Sequence, residues 1–110
     1  MKIAVYAICK NERQFIDRWA KTVEGADEVV VVDTGSQDGS AELLRGKGFR
    51  VYEERFTPWR FDTARNRSLA LVSEDADACV CLDLDETLSP GWRQAIEQAF
   101  RDCDQLEYRY

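Results

Sequence analysis

Residues 29–40 read VVVVDTGSQDGS, and this stretch decides the fold. Four valines in a row have strong β character, and an unbroken apolar run of that length reads as a strand buried on both faces. The run stops at Asp33. Gly35 and Gly39 permit a turn, and Asp38 or Ser40 can cap the helix that AELLR announces. A carboxylate therefore sits at the carboxyl end of a buried strand, on a glycine-containing loop that enters a helix. Open α/β sheets bind ligands at that place. An aspartate there suits hydroxyl or N–H donors, such as a ribose or a base edge, and repels phosphate. The alternative is that Asp33 and Asp38 serve only as turn and cap residues, which their side chains favour in any case.

Outward from this stretch, apolar strand-like runs alternate with helical patterns. KIAVYAIC (2–9) is a first strand. In NERQFIDRWAKTVEG the residues Phe15, Ile16, Trp19 and Val23 recur at helical spacing, and Gly25 can end the helix. After 28–33 a short helix runs to about Arg45, and FRVYEE follows as a third strand. Pro58 favours a loop. Asp62 is a candidate cap for a helix beginning near Thr63, with Ala64, Ser68, Leu71 and Val72 facing the core. ACVCLD (78–83) is a fourth strand, again ending in aspartate. Ser89 and Pro90 supply a helix start, and Trp92, Ile96, Ala99 and Phe100 its apolar stripe. QLEYRY at the end alternates as a fifth strand does, with Leu106, Tyr108 and Tyr110 on one side, which leaves an open sheet edge. The order βαβαβαβαβ implies an α/β fold: three layers, Rossmann-like, with a mainly parallel sheet whose first four strands run 3-2-1-4. The 110 residues fit one domain, 1–110, and 45% hydrophobic residues suffice for a core.

Composition excludes several functions. The net charge is −6 and no basic run is present, which argues against nucleic-acid binding and against a polybasic membrane patch. Without histidine the chain has neither Ser-His-Asp nor Cys-His catalysis, nor a histidine zinc site. Cys79 and Cys81 share a strand face, and their C-x-C spacing is not that of a zinc or redox motif. With Cys9 and Cys103 they read as small buried hydrophobes in a reducing compartment. IAVYAIC is too short to span a bilayer and lacks a cleavage-like site, so the expected location is cytoplasmic, with no transmembrane segment.

A second acidic group stands in CLDLDET (81–87). Asp83 and Asp85 lie two apart at the end of the fourth strand, with Glu86 next. Hard oxygen donors at this density suit Mg²⁺ or Mn²⁺, and such an ion can hold a diphosphate. The alternative is a solvated polar loop. In WRFDTARNRSLAL, Arg65 falls in the first turns of a helix, within reach of the strand ends, and can pair with a phosphate or an aspartate.

ICKNE, VVVVDTGSQDGS, FDTARNRSLAL and CLDLDE, in this order, resemble the family-2 glycosyltransferases of GT-A fold, from Ile3 to about Phe100. The resemblance implies a nucleotide-diphospho-sugar donor and a divalent metal, Mn²⁺ or Mg²⁺. It maps Asp33 onto the family's base- or ribose-contacting aspartate. Asp83 and Asp85 become the D-x-D pair, with Asp85 as the metal ligand. Glu12 and Arg65 line the nucleotide pocket with Asp83, and the loop Ile8 to Glu12, Asn11 included, packs beside the base. Family members continue into an acceptor half carrying the base for inverting transfer, and that base is expected to be absent here. The expectation is thus a donor-binding half with an unknown acceptor, with a dimer through the C-terminal segment as a way to cover the open edge. Two other functions compete. One is a non-catalytic nucleotide-sugar binding module. The other takes LDLDET as the D-x-D-x-T string of haloacid-dehalogenase-like phosphatases, with Asp83 as nucleophile. The second leaves DTGSQDGS and TARNRSLAL unexplained, and no lysine follows Thr87.

Overall fold

The computed structural model describes residues 1–55, 61–102 and 108–109. Its sheet runs β3-β2-β1-β4-β5, with β1 Ile3–Cys9, β2 Glu28–Asp33, β3 Arg50–Glu53, β4 Ala78–Cys81 and β5 Tyr108–Arg109. All four strand pairings are parallel, and the first four strands take the expected 3-2-1-4 order. The helices are α1 Arg13–Thr22, followed by a 3₁₀ turn Val23–Gly25, α2 Ser40–Gly46, α3 Phe61–Ala70 and α4 Trp92–Asp102.

The apolar runs are continuous because both sheet faces are covered. Every residue of β1 is buried. Ile3, Val5, Ala7 and Cys9 pack with Val31 and Val80 against Ile16, Trp19 and Val23, Leu44 of α2 and Ile96 of α4. Tyr6, Ile8, Val30 and Val32 face the other way, where Ala64 of α3 and Leu69 and Leu71 meet them. Val30, Val31 and Val32 are each fully buried, which favours folding by roughly 1.5–3 kcal/mol per side chain. Burying a strand on both faces in this way requires crossover helices on both sides, and that requirement makes the sheet parallel.

Several element boundaries differ from expectation. α3 starts at Phe61 rather than near Thr63. Leu71 and Val72 follow the end of α3, yet pack half-buried under the sheet as expected. α4 starts at Trp92, two residues after Ser89–Pro90, because Gly91 has φ +83°, outside the right-handed helix. β4 leaves the regular ladder at Cys81, although the Leu82 amide still donates to the Tyr6 carbonyl at 3.2 Å. The fifth strand is present at Tyr108–Arg109, beside β4. Cys103, Leu106 and Tyr110 lie outside the described residues. Among the described residues no helix is long and apolar enough to cross a membrane.

Candidate functional site

Because the strands are parallel, the two aspartates that end apolar runs lie at the same edge of the sheet. The chain proceeds from β1 outward to β2 and β3, then returns to the other side of β1 with β4. The loops after β1 and β4 therefore diverge and leave a crevice between them. A pocket of about 260 Å³ occupies it, lined by Ile8, Cys9, Lys10, Glu12, Thr34, Asp83 and Asp85.

One wall is a latch between the loops after β1 and β2. Cys9 pairs with Asp33 in the ladder, and the Thr34 amide donates to the Cys9 carbonyl at 2.9 Å. Asn11 holds a left-handed conformation, φ +54°, which asparagine tolerates better than most residues. Its amide donates to Ser36 Oγ at 2.8 Å, and its side-chain oxygen accepts from the Gln37 amide at 2.7 Å. The Glu12 amide donates to Ser40 Oγ at 3.2 Å, and the Arg13 amide to Asp38 at 3.1 Å. Asp38 also accepts from the Ser40 amide at 3.0 Å and from the Ser40 hydroxyl, so it satisfies the start of α2 from one position before Gly39, the residue at the cap. Gly39 has φ +86°, a left-handed conformation that favours glycine; the Arg13 guanidinium lies 2.6 Å from where a Cβ would stand, but as the end of a flexible side chain it can move aside.

Asp33 is 1% exposed. Its Oδ1 accepts from the Gly35 and Ser36 amides at 2.9 and 2.7 Å. Its Oδ2 is buried and has no hydrogen-bond partner among the described residues. A buried carboxylate oxygen without a donor is costly, so this atom calls for an N–H or O–H from elsewhere.

The opposite wall is acidic. Carboxylate oxygens of Asp83, Asp85 and Glu86 lie within 4.8 Å of one another. The Glu86 amide donates to the Asp83 carbonyl at 3.0 Å, and the Asp83 amide donates to the Glu86 carboxylate at 3.1 Å, which closes a tight turn. Arg65 of α3 reaches Asp83 at 3.2 Å, both side chains being about one-third exposed. Glu12 faces this group across the pocket: burial pushes its carboxyl above the usual range, and the charges of Asp85 and Asp83 push it further. The Cys9 thiol beneath is pushed up to about 11 by burial and the Asp33 charge, so it is neutral at physiological pH. Three hard oxygen donors this close fit a divalent cation such as Mn²⁺ or Mg²⁺.

Of the residues singled out from sequence, Glu12, Asp83 and Asp85 line the pocket together. Arg65 joins them through Asp83. Asp33 is in the neighbouring turn, and Asn11 holds that turn in shape. Lys10 and Thr34 on the wall and Ser36 of the latch were not singled out in the sequence, whereas Glu86 stood there as the third member of the acidic group.

Residues 4–105 match the model of glycosyl transferase family 2. A lipopolysaccharide core biosynthesis glycosyltransferase of Rhizobium meliloti is 28% identical over 108 residues, 96% of this chain and 40% of its own length. An uncharacterized glycosyltransferase of Rickettsia bellii is 32% identical, over 97% of this chain and 35% of its own. The chain thus spans well under half the length of these curated relatives. In structure it is similar to glucosyl-3-phosphoglycerate synthase of Mycobacterium tuberculosis, solved with Mn²⁺, UDP and glucosyl-3-phosphoglycerate. The TM-score is 0.61 with 27% identity, over 74% of this chain and 33% of that one. With that synthase it shares the GT-A, Rossmann-like layout, and by its sequence match the chain belongs to glycosyl transferase family 2.

Proposed function

We propose that this domain binds a nucleotide-diphospho-sugar at the edge between β1 and β4. Asp85, with Asp83 and Glu86, would hold a divalent cation against the diphosphate, making the Asp83–Asp85 pair the D-x-D motif of the site. Asp33 would accept from the nucleoside, with Glu12 and the loop shaped by Asn11 beside it, and Arg65 would hold Asp83 and answer phosphate charge. The observation that carries this reading is the cluster of three carboxylates, two of which, Asp83 and Asp85, line the pocket at the sheet's switch point. Bound there, the ion supplies charge neutralisation for a diphosphate leaving group. The mycobacterial synthase, solved with Mn²⁺ and UDP, supports these two as the first probes. Mg²⁺ is the other cation the donor set suits.

Transfer to an acceptor also needs an acceptor platform and a base at its hydroxyl. The chain spans 40% and 35% of the length of two relatives, and neither group is assigned to a residue here. A dimer through the strand at Tyr108–Arg109 is part of the same reading. It predicts a mass of twice 12.7 kDa by light scattering at high concentration, and a monomer there contradicts it.

The test is calorimetry of UDP binding with and without Mn²⁺. Asp85→Asn should abolish the Mn²⁺ dependence. Asp33→Ala should weaken binding by about one to two decades with or without the metal, since hydrogen bonds to a charged group are worth roughly 1.5–3 kcal/mol. Unchanged affinity in both variants contradicts the assignment. A phosphatase acting through Asp83 would instead hydrolyse p-nitrophenyl phosphate and lose that activity in Asp83→Asn.

A further inference from the structure

We propose that Arg18, on the outer side of α1, is a positioning residue for the cation site: it fixes the backbone of Asp85 so that the Asp85 carboxylate is presented to the pocket. This rests on the metal reading above and adds to it a residue outside the pocket.

The acidic turn is fastened to α1 at both ends by two consecutive residues. Trp19 is fully buried, and its Nε1–H donates to the Leu82 carbonyl at 3.2 Å. Arg18 Nη2 donates to the Asp85 carbonyl at 3.1 Å. Phe15, one turn earlier in the helix, lies under the guanidinium, 5.4 Å from ring centroid to Cζ, and limits where it can swing. Between these two fastenings Leu84 is fully buried, with the half-buried Asp83 and the exposed Asp85 on either side of it. The Asp85 end has no such burial, and its carbonyl is held by Arg18. The guanidinium takes the carbonyl oxygen rather than the carboxylate, and so leaves the Asp85 carboxylate available to a cation.

Charge alone predicts the opposite effect. A guanidinium beside a cation site repels the cation, so deleting it would tighten metal binding. Deleting a group that orients a ligand loosens it, by about 10–100-fold where such supports have been removed. Arg18 is exposed, and the lower figure applies.

The experiment is Mn²⁺ titration of the full 110-residue chain, followed by the paramagnetic resonance signal of free Mn²⁺, with amide exchange of residues 83–86 measured on the metal-free protein. Arg18→Gln should weaken Mn²⁺ about tenfold and speed exchange of those amides. Arg18→Lys, which keeps a donor of similar reach, should restore most of both. Arg18→Gln binding Mn²⁺ as tightly as wild type, or more tightly, overturns the proposal and leaves the cation site standing. A wild-type chain that takes up no Mn²⁺ removes the cation site, and the proposal with it.

Discussion

Glu12 shows how one residue reports on the whole site. Its carboxyl is pushed up by burial and by Asp85 and Asp83, so the folded chain holds its proton to higher pH than the unfolded chain does. A raised carboxyl pKa costs stability once the pH exceeds the ordinary carboxylate range, and costs nothing well below it. Glu12→Gln should therefore raise the midpoint of thermal unfolding at pH 7, and the gain should vanish near pH 4. A gain that is constant with pH contradicts the account. Asp33, Asp83 and Asp85 drew attention in the sequence because each is an acid at or just past the point where an apolar run stops. Glu12 and Asn11 carry no such local mark, and only the family resemblance drew attention to them. Arg18 and Ser36 could not be read at all, and Ser40 only as a cap: they matter through partners dozens of residues away, which no local pattern encodes.

Among the elements, α1 does more than cover the sheet. Its apolar stripe was plain from the spacing of Ile16, Trp19 and Val23, but the indole bond to Leu82 is a tertiary fact. Trp19→Phe keeps an aromatic ring and leaves the buried Leu82 carbonyl without that donor, which should cost about 1–3 kcal/mol in urea unfolding. A loss much smaller than this contradicts a fastening role. At the far end of the strands, Glu28 of β2 accepts from the Ser73 amide at 2.8 Å and pairs with Lys2 at 3.6 Å and Arg50 at 3.3 Å. It thereby ties β1, β2, β3 and the turn after α3. Burial pushes its carboxyl up, but the Ser73 hydrogen bonds and the two cations outweigh that and hold it below the usual range. Its contribution is present above the ordinary carboxylate range and lost as acid protonates it. Glu28→Gln should cost about 1–2 kcal/mol at pH 7 and less at pH 3. An equal cost at both would contradict the charge-based reading. The boundaries read less well than the elements themselves. Two helix starts differ from expectation by two residues each, that of α4 because Gly91 leaves the right-handed region.

For the molecule as a whole, the strand order was legible because apolar runs of this kind leave few right-handed topologies. The fifth strand at the end of the sheet was legible too. Net charge sets a constraint of its own. A chain of charge −6 repels a nucleotide diphosphate, and the proposed divalent ion between its carboxylates would reverse that locally. Acidic groups also crowd the opposite end of the strands, at Asp27, Asp75 and Asp77, but there Arg93, Lys2 and the Lys2 amide already answer them. The central claim is that the cation and nucleotide meet at the β1–β4 edge. The most direct measurement is paramagnetic broadening of backbone amide resonances by Mn²⁺ in the presence of UDP. The account predicts that broadening centres on residues 82–86 and Glu12 and spares Lys2, Asp27 and Asp77. Broadening centred on Asp75–Asp77, or spread evenly over the acidic surface, would contradict it.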